Sequence, residues 1–246
     1  MRITYFGHSS FRIETGKAVI IIDPFFTGNP KDPRDFREAA RGATHVLLTH
    51  GHEDHIGLEP GGDARESDVV KICTQTEGAV TLVASFELAT YLESKGVKTA
   101  ESGNPGGRIA FDDFDCVFTN AWHSSSNIKD GKALYLGNPT GFVIIPKTER
   151  GRTVYISGDT GVSADMKIIH DLYRPTIGIM CIGDRYTMGP DQAAYACKKL
   201  FKFKTIIPCH YATFPGLLRD AKPFLKAMGP DRKKVKPLTP GESLTV

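Results

Sequence analysis

The chain has 246 residues, 40% of them hydrophobic, with a formal net charge of +3 at pH 7. That suits one large domain or two small ones, and it leaves no dominant polyanion-binding tract. Five scattered cysteines, Cys73, Cys116, Cys181, Cys197 and Cys209, form no C-x-x-C pair, which argues against a disulfide framework and for a reducing compartment.

The predicted elements alternate along the chain. RITYF, SFRIE and AVIIID, beginning at Arg2, Ser10 and Ala18, read as three strands of a β-meander. DPFFTGNPKDPR at 23–34 is a Pro- and Gly-rich loop, FREAARG a short helix ended by Gly42, and THVLLT at 44–49 a buried strand. A surface loop at 59–67, a helix through VVKICTQT, the strand AVTLVA and a helix at 86–95 closed by Gly96 follow. DCVFTNAW, GFVIIP, TVYISGD, TIGIMCIG and TIIPCH are further strands, with helices at 164–173, 191–201 and 223–228. DRKKVK at 231–236 reads as a solvated loop rather than a nucleic-acid patch. No internal repeat, low-complexity tract or linker composition interrupts the chain, so a single domain over 1–246 is expected. Strands alternating with helices imply an α/β protein, with sheets packed together and helices outside. No export signal or bilayer-spanning run is read, and a cytoplasmic protein is the expectation.

Three of the eight histidines fall in LLTHGHEDHIG at 47–57. Residues two apart on an extended segment face the same way, so His50 and His52 can converge on one point. Once the chain turns, Asp54 and His55 can address a second point nearby. Imidazole and carboxylate are ligands that zinc accepts. His123, Asp159 and His210 each follow an apolar run, where sheets of this type put functional groups. Two sites sharing Asp159 complete the count: His50, His52 and His123 for one, Asp54, His55 and His210 for the other. Four positive charges against Asp54, Asp159 and one hydroxide leave a positive excess, which favours a small anionic or oxyanion-forming substrate.

The H-x-H-x-D-H run with spaced His123, SGDT and His210 resembles the metallo-β-lactamase-fold hydrolases along the whole chain. GHSSF, IDPF, GDRYTMGP and CHYATFP resemble the small branch related to ascorbate-6-phosphate lactonase. The resemblance implies a four-layer αββα sandwich, two divalent ions (zinc, with manganese or iron as alternatives) and hydroxide as nucleophile on an ester, lactone or phosphoester. Asp54 is the candidate proton acceptor. His8 and Asp23 resemble family positions at the active-site rim and behind a ligand histidine, the latter orienting that histidine. Arg185 and Tyr211 flank motif residues as candidate substrate contacts, Arg185 standing where relatives commonly carry an uncharged polar side chain, while Tyr186 and Phe214 could shape the pocket. Cys209, beside His210, is assigned to the core, because strand neighbours point to opposite faces. His45 and His170 are read as structural.

Three rival readings remain. A nucleic-acid or cyclic-nucleotide phosphodiesterase would share the motif but usually carries added substrate-binding arms. A diiron redox enzyme would place Glu where His52 stands. A non-catalytic metal-binding module would lack a ligand. The partner expected is a small molecule rather than a membrane or nucleic acid, with homo-oligomerisation left open.

Overall fold

The computed structural model describes residues 1–32, 34–129 and 131–246; Pro33, inside the loop expected at 23–34, lies outside the described residues. The meander forms as its alternation implies. Strands β1 (Arg2–Tyr5), β2 (Phe11–Thr15) and β3 (Ala18–Ile22) pair antiparallel, with Tyr5 opposite Phe11 and Phe11 opposite Ile22. Helix α1 (Phe36–Ala39) starts where the Asp35 carboxylate accepts the Arg37 N–H, and the chain leaves it through Gly42 at φ 70°. Then come β4 (His45–Leu47), the single turn α2 (Glu53–Ile56), α3 (Asp68–Gln75), β5 (Thr81–Ser85), α4 (Phe86–Glu93) and β6 (Ala100–Gly103).

The second half supplies β7 (Arg108–Ala110), β8 (Phe114–Asn120), a hairpin β9 (Ser126–Lys129) and β10 (Lys132–Tyr135), β11 (Thr140–Pro146) and β12 (Val154–Ile156). Helix α5 (Asp165–Tyr173), β13 (Ile177–Cys181), α6 (Pro190–Tyr195), β14 (Thr205–Cys209), α7 (Lys222–Met228) and β15 (Ser243–Thr245) complete it. The helix expected over 191–201 is α6 continued by one π turn at Ala196–Leu200.

Two sheets result, in the orders β15-β1-β2-β3-β4-β5-β6 and β14-β13-β12-β11-β8-β7. Strand β3 shows how the layers are made. Ile20 and Ile22 join a core that also contains Phe118 and Phe142 of the other sheet, whereas Ile21 joins Phe36, Val69 and Leu88 under α1, α3 and α4. A strand buried on both faces can be apolar throughout, as AVIII is. Behind the second sheet, Tyr155 stacks on Phe201 at 4.8 Å between ring centroids. This is the helix–sheet–sheet–helix order anticipated from the motifs.

Strand direction then places the site. Antiparallel and parallel pairings combine so that β1, β3 and β4 all run one way, and so do β8, β12 and β14 in the other sheet. The C-terminal ends of each set share one edge. The two edges are tied together where Thr140 N–H donates to the Thr49 carbonyl (2.8 Å) and His210 N–H to the His8 carbonyl (2.7 Å). No helix among the described residues is long and apolar enough to cross a membrane. All five cysteines carry free thiols.

Candidate metal centre

Every strand end named from the sequence delivers its side chain to this joined edge. His50, His52 and His123 offer ring nitrogens within 4.8 Å of one another; ring nitrogens and carboxylate oxygens of His8, Asp54, His55 and His210 form a second group that close, and those of His50, His55 and Asp159 a third. Asp159 lies between them. Its Oδ2 is 2.8 Å from His210 Nε2, 3.4 Å from His55 Nε2 and 3.6 Å from His123 Nε2. One carboxylate oxygen thus reaches histidines of both expected sets.

The donors fit cations. His55 Nε2 and Asp159 Oδ1 are buried and have no hydrogen-bond partner among the described residues, a costly arrangement for bare protein groups. Five imidazoles (His50, His52, His55, His123 and His210) with the carboxylates of Asp54 and Asp159 form a nitrogen–oxygen set of the kind zinc accepts.

Behind the donors, one carboxylate orders two rings. Asp23 accepts the Thr49 N–H (2.8 Å) and the Thr49 hydroxyl (2.7 Å), and it receives the His55 Nδ1–H at 2.8 Å. A carboxylate only accepts, so His55 keeps a proton on Nδ1 and Nε2 is the nitrogen it would present to an ion. Thr49, its own hydrogen given to Asp23, is left to accept from His50 Nδ1 at 3.0 Å, which leaves His50 Nε2 unprotonated, 2.9 Å from His52 Nδ1. His8 Nε2 lies 2.9 Å from Asp54 Oδ2 and its Nδ1 3.0 Å from the Thr213 hydroxyl. His8 is fully buried beneath Asp54 rather than sitting at an open rim.

Charge follows the same geometry. Burial, with neighbouring histidines adding, lowers His50 well below its ordinary range and His52 to about 4; burial also lowers His123. These rings stay neutral, as ligands must. Burial, then His210, lowers His8 to about 4. His55 moves the opposite way: burial lowers it, but Asp159, Asp23 and Asp54 together raise it well above the usual value. Burial raises Asp54 and Asp159, yet the surrounding histidines hold both below the ordinary carboxylate range.

Local backbone supports the convergence. Among the described residues, His8 (φ 55°), Asp23 (φ 43°) and His210 (φ 57°) are left-handed, each just beyond the end of a strand. Glycine is needed where chain passes close by: a Cβ on Gly51 would lie 2.5 Å from Leu136 Cδ1, and one on Gly183 would lie 2.2 Å from the His210 carbonyl oxygen. The GDRYTMGP stretch therefore starts against a candidate ligand.

The donors open into a cavity of about 710 Å³. Its apolar wall includes Phe25, Leu58, Tyr186, Phe214 and Leu217, and its charged lining is Glu53, Asp54, Glu59 and Asp159. Arg185 and Tyr211, expected as substrate contacts, are not on this wall. The Arg185 guanidinium lies over the Tyr186 ring, 5.4 Å from its centroid, and Tyr211 packs against the main core. The charged side chains on this wall are thus acidic, where Arg185 was expected.

His45 packs edge-on against Phe111 and Phe114, and Cys209 is core, as their sequence contexts suggested. Thr49, Thr213, Glu53 and Glu59 were not singled out as functional. Thr49 precedes the first histidine directly, and a hydroxyl there could have been read as a partner for an adjacent ring. Asp68 was also missed. It is buried, accepts the N–H groups of Phe26 and Thr27 at 2.7 Å each, and so pins the turn that carries Asp23.

Comparison with known proteins follows the same pattern. Residues 2–210 match the family model described as beta-lactamase superfamily domain. A UPF0173 metal-dependent hydrolase of Agrobacterium fabrum is 44% identical over 247 residues, covering 100% of both chains. Among solved structures, Igni18, a metallo hydrolase from Ignicoccus hospitalis, superimposes with a TM-score of 0.81 at 33% identity, over 99% of this chain and 97% of that one. The metallo-beta-lactamase fold protein YhfI from Bacillus subtilis, at 14% identity, a TM-score of 0.67 and 99% coverage of both chains, shares the fold.

Proposed function

The chain belongs to the metallo-β-lactamase superfamily and, within it, to the UPF0173 metal-dependent hydrolases, and from that premise we propose that it uses two divalent cations, zinc by donor type, to hydrolyse an ester, lactone or phosphoester bond in a small molecule. The observation that carries this reading is Asp159 Oδ2, within 3.6 Å of ring nitrogens on His55, His123 and His210. His50, His52 and His123 would hold one ion, Asp54, His55 and His210 the other, and Asp159 both. Bound there, the ions supply hydroxide at neutral pH and Lewis-acid polarisation of the scissile group.

The chain's own residues do the rest. Asp23 and Thr49 hold the Nδ1 protons of His55 and His50, so that Nε2 of each ring is the nitrogen presented to an ion. His8 holds one oxygen of Asp54, leaving the other to accept a hydrogen bond from the attacking water. A carboxyl held so acidic by His55 and His8 orients that water and is a weak base toward it. The phenyl wall limits the entry of bulk water from one side. Free, buried cysteines support a reducing compartment, the cytoplasm.

Metal analysis of the purified chain, together with assays against chromogenic esters, lactones and phosphodiesters, tests this. Two ions per chain and hydrolysis are expected, with both lost in Asp159→Ala. A chain that takes up no divalent ion, whose Asp159→Ala variant behaves as the parent, would refute it.

A further inference from the structure

We infer that the cavity selects an uncharged acyl substrate, a carboxylic ester or lactone with an apolar and preferably aromatic group, and that Glu53 and Glu59 turn anions such as phosphoesters away. The inference deepens the hydrolase reading and rests on it. Its starting point is the cavity wall. Among the described residues no lysine or arginine lines it, although the chain as a whole is net basic. Enzymes that take phosphate or carboxylate esters place guanidinium or ammonium groups at the anion. The one arginine beside the motif, Arg185, is instead laid over Tyr186.

Counting the wall reverses the charge balance obtained from the metal ligands alone. Two divalent ions bring four positive charges. Glu53, Asp54, Glu59 and Asp159 bring four negative ones, and a hydroxide adds a fifth, so the formal balance is one negative charge. The two glutamates are built into the rim. The Gly61 N–H donates to Glu53 Oε1 at 3.2 Å, and a Cβ on Gly28 would lie 3.1 Å from Glu59 Oε1.

Part of the wall is aromatic. Phe25 is buried and touches Phe214 at 6.0 Å between centroids, and both pack on His8, at 5.6 and 5.4 Å. Phe214 and Tyr186 remain 38% and 58% exposed. Exposed rings lining a concave site carry an unmet gain from burial, which an apolar substituent supplies.

The chemistry balances without a further reagent. The hydroxide oxygen bonds to the carbonyl carbon, the acyl C–O bond breaks, and the leaving alkoxide takes the proton of the carboxylic acid that forms. A neutral ester thus becomes an alcohol and a carboxylate. The product is an anion facing two fixed carboxylates, so the charge that excludes anionic substrates also speeds the departure of the product.

The test uses zinc-loaded protein with p-nitrophenyl butyrate and mono-p-nitrophenyl succinate, which share the bond broken and differ by one carboxylate, and with p-nitrophenyl phosphate. The butyrate ester is expected to have a kcat/KM at least about tenfold above the succinate ester, with the phosphate slower still. In Glu53→Gln/Glu59→Gln the succinate-to-butyrate ratio rises by about tenfold, and in the parent it rises with salt. Binding is read separately by calorimetry, with butyranilide and succinanilic acid as stable amide counterparts. The neutral amide binds more tightly, and Phe214→Ala weakens it by about tenfold. If no ester is cleaved, the hydrolase reading fails, while the amide pair still decides selectivity. Equal or tighter binding of the anionic amide, or a ratio unmoved in the glutamine variant, overturns the inference.

Discussion

The Asp23 carboxylate meets His55 Nδ1 at 2.8 Å while also holding the Thr49 N–H and hydroxyl. Asp23 touches no candidate ion site directly, but it aims a ring that does. Asp23→Ala should weaken metal binding by about 10–100-fold. Leaving buried Thr49 and His55 donors unpaired should also cost about 1–3 kcal/mol of stability. Competition against a chromophoric chelator, with urea melts alongside, measures both; unchanged affinity would mean that His55 is oriented by something else.

The two donor sets should be separable. His123→Ala should lose the ion of the His50 and His52 group and keep the other, and His210→Ala should do the reverse. Ion stoichiometry near one per chain in each variant, with hydrolysis gone in both, is the expected result. Loss of both ions from either variant would show that the sets are not independent.

Metal uptake should release protons. His55 is held well above its ordinary pKa by Asp159, Asp23 and Asp54, so in the metal-free chain it is an imidazolium at neutral pH. His50, His52 and His123 are lowered and already neutral. Titration calorimetry in buffers of different ionisation enthalpy should find about two protons released per chain at pH 7, one from His55 and one from the water that becomes hydroxide. No buffer dependence would count against this charge assignment.

The metal-free chain should lose stability between about pH 6.5 and pH 4. His8 and His52 are lowered in the fold to about 4, so below about 6.5 the unfolded chain binds protons that the folded chain refuses. Stability from these groups is complete above the unfolded value and falls as pH drops. The fully buried His8 alone can remove up to about 1.4 kcal/mol per pH unit. Urea midpoints of chelator-treated protein at pH 7, 6 and 5 should therefore decline steadily. A flat series would contradict the burial of neutral rings.

Much of the site was legible because its residues break a pattern. His123, Asp159 and His210 stand out as lone polar groups after apolar runs, and the H-x-H-x-D-H run is dense. The partner layer was less visible. Thr49, Thr213, Glu53 and Glu59 are ordinary surface residue types whose meaning comes from strands and loops far apart in sequence. The fold shows the same division. Strands β3, β11 and β13 announce themselves by apolar runs, but β6 (AESG), β10 (KALY) and β15 (SLT) are short and not buried, so only pairing with a neighbour identifies them. The expectation of an anionic substrate counted ligand charges alone, without Glu53 at the start of α2 and Glu59 in the loop after it, which also line the cavity.

His8, Asp23 and His210 all leave their strands through the left-handed region, which costs a side-chain-bearing residue about 1–2 kcal/mol each. The fold therefore holds tension at three places around the candidate metal centre, and bound ions would help to keep those places shut. Stripping the ions should let Gly7–Ser9, Asp23–Phe25 and Cys209–Tyr211 open first. Amide hydrogen exchange would then quicken there while the interior of β3 and β13 stays protected. In such a molecule, chelation loosens the joints between the sheets before it loosens either sheet.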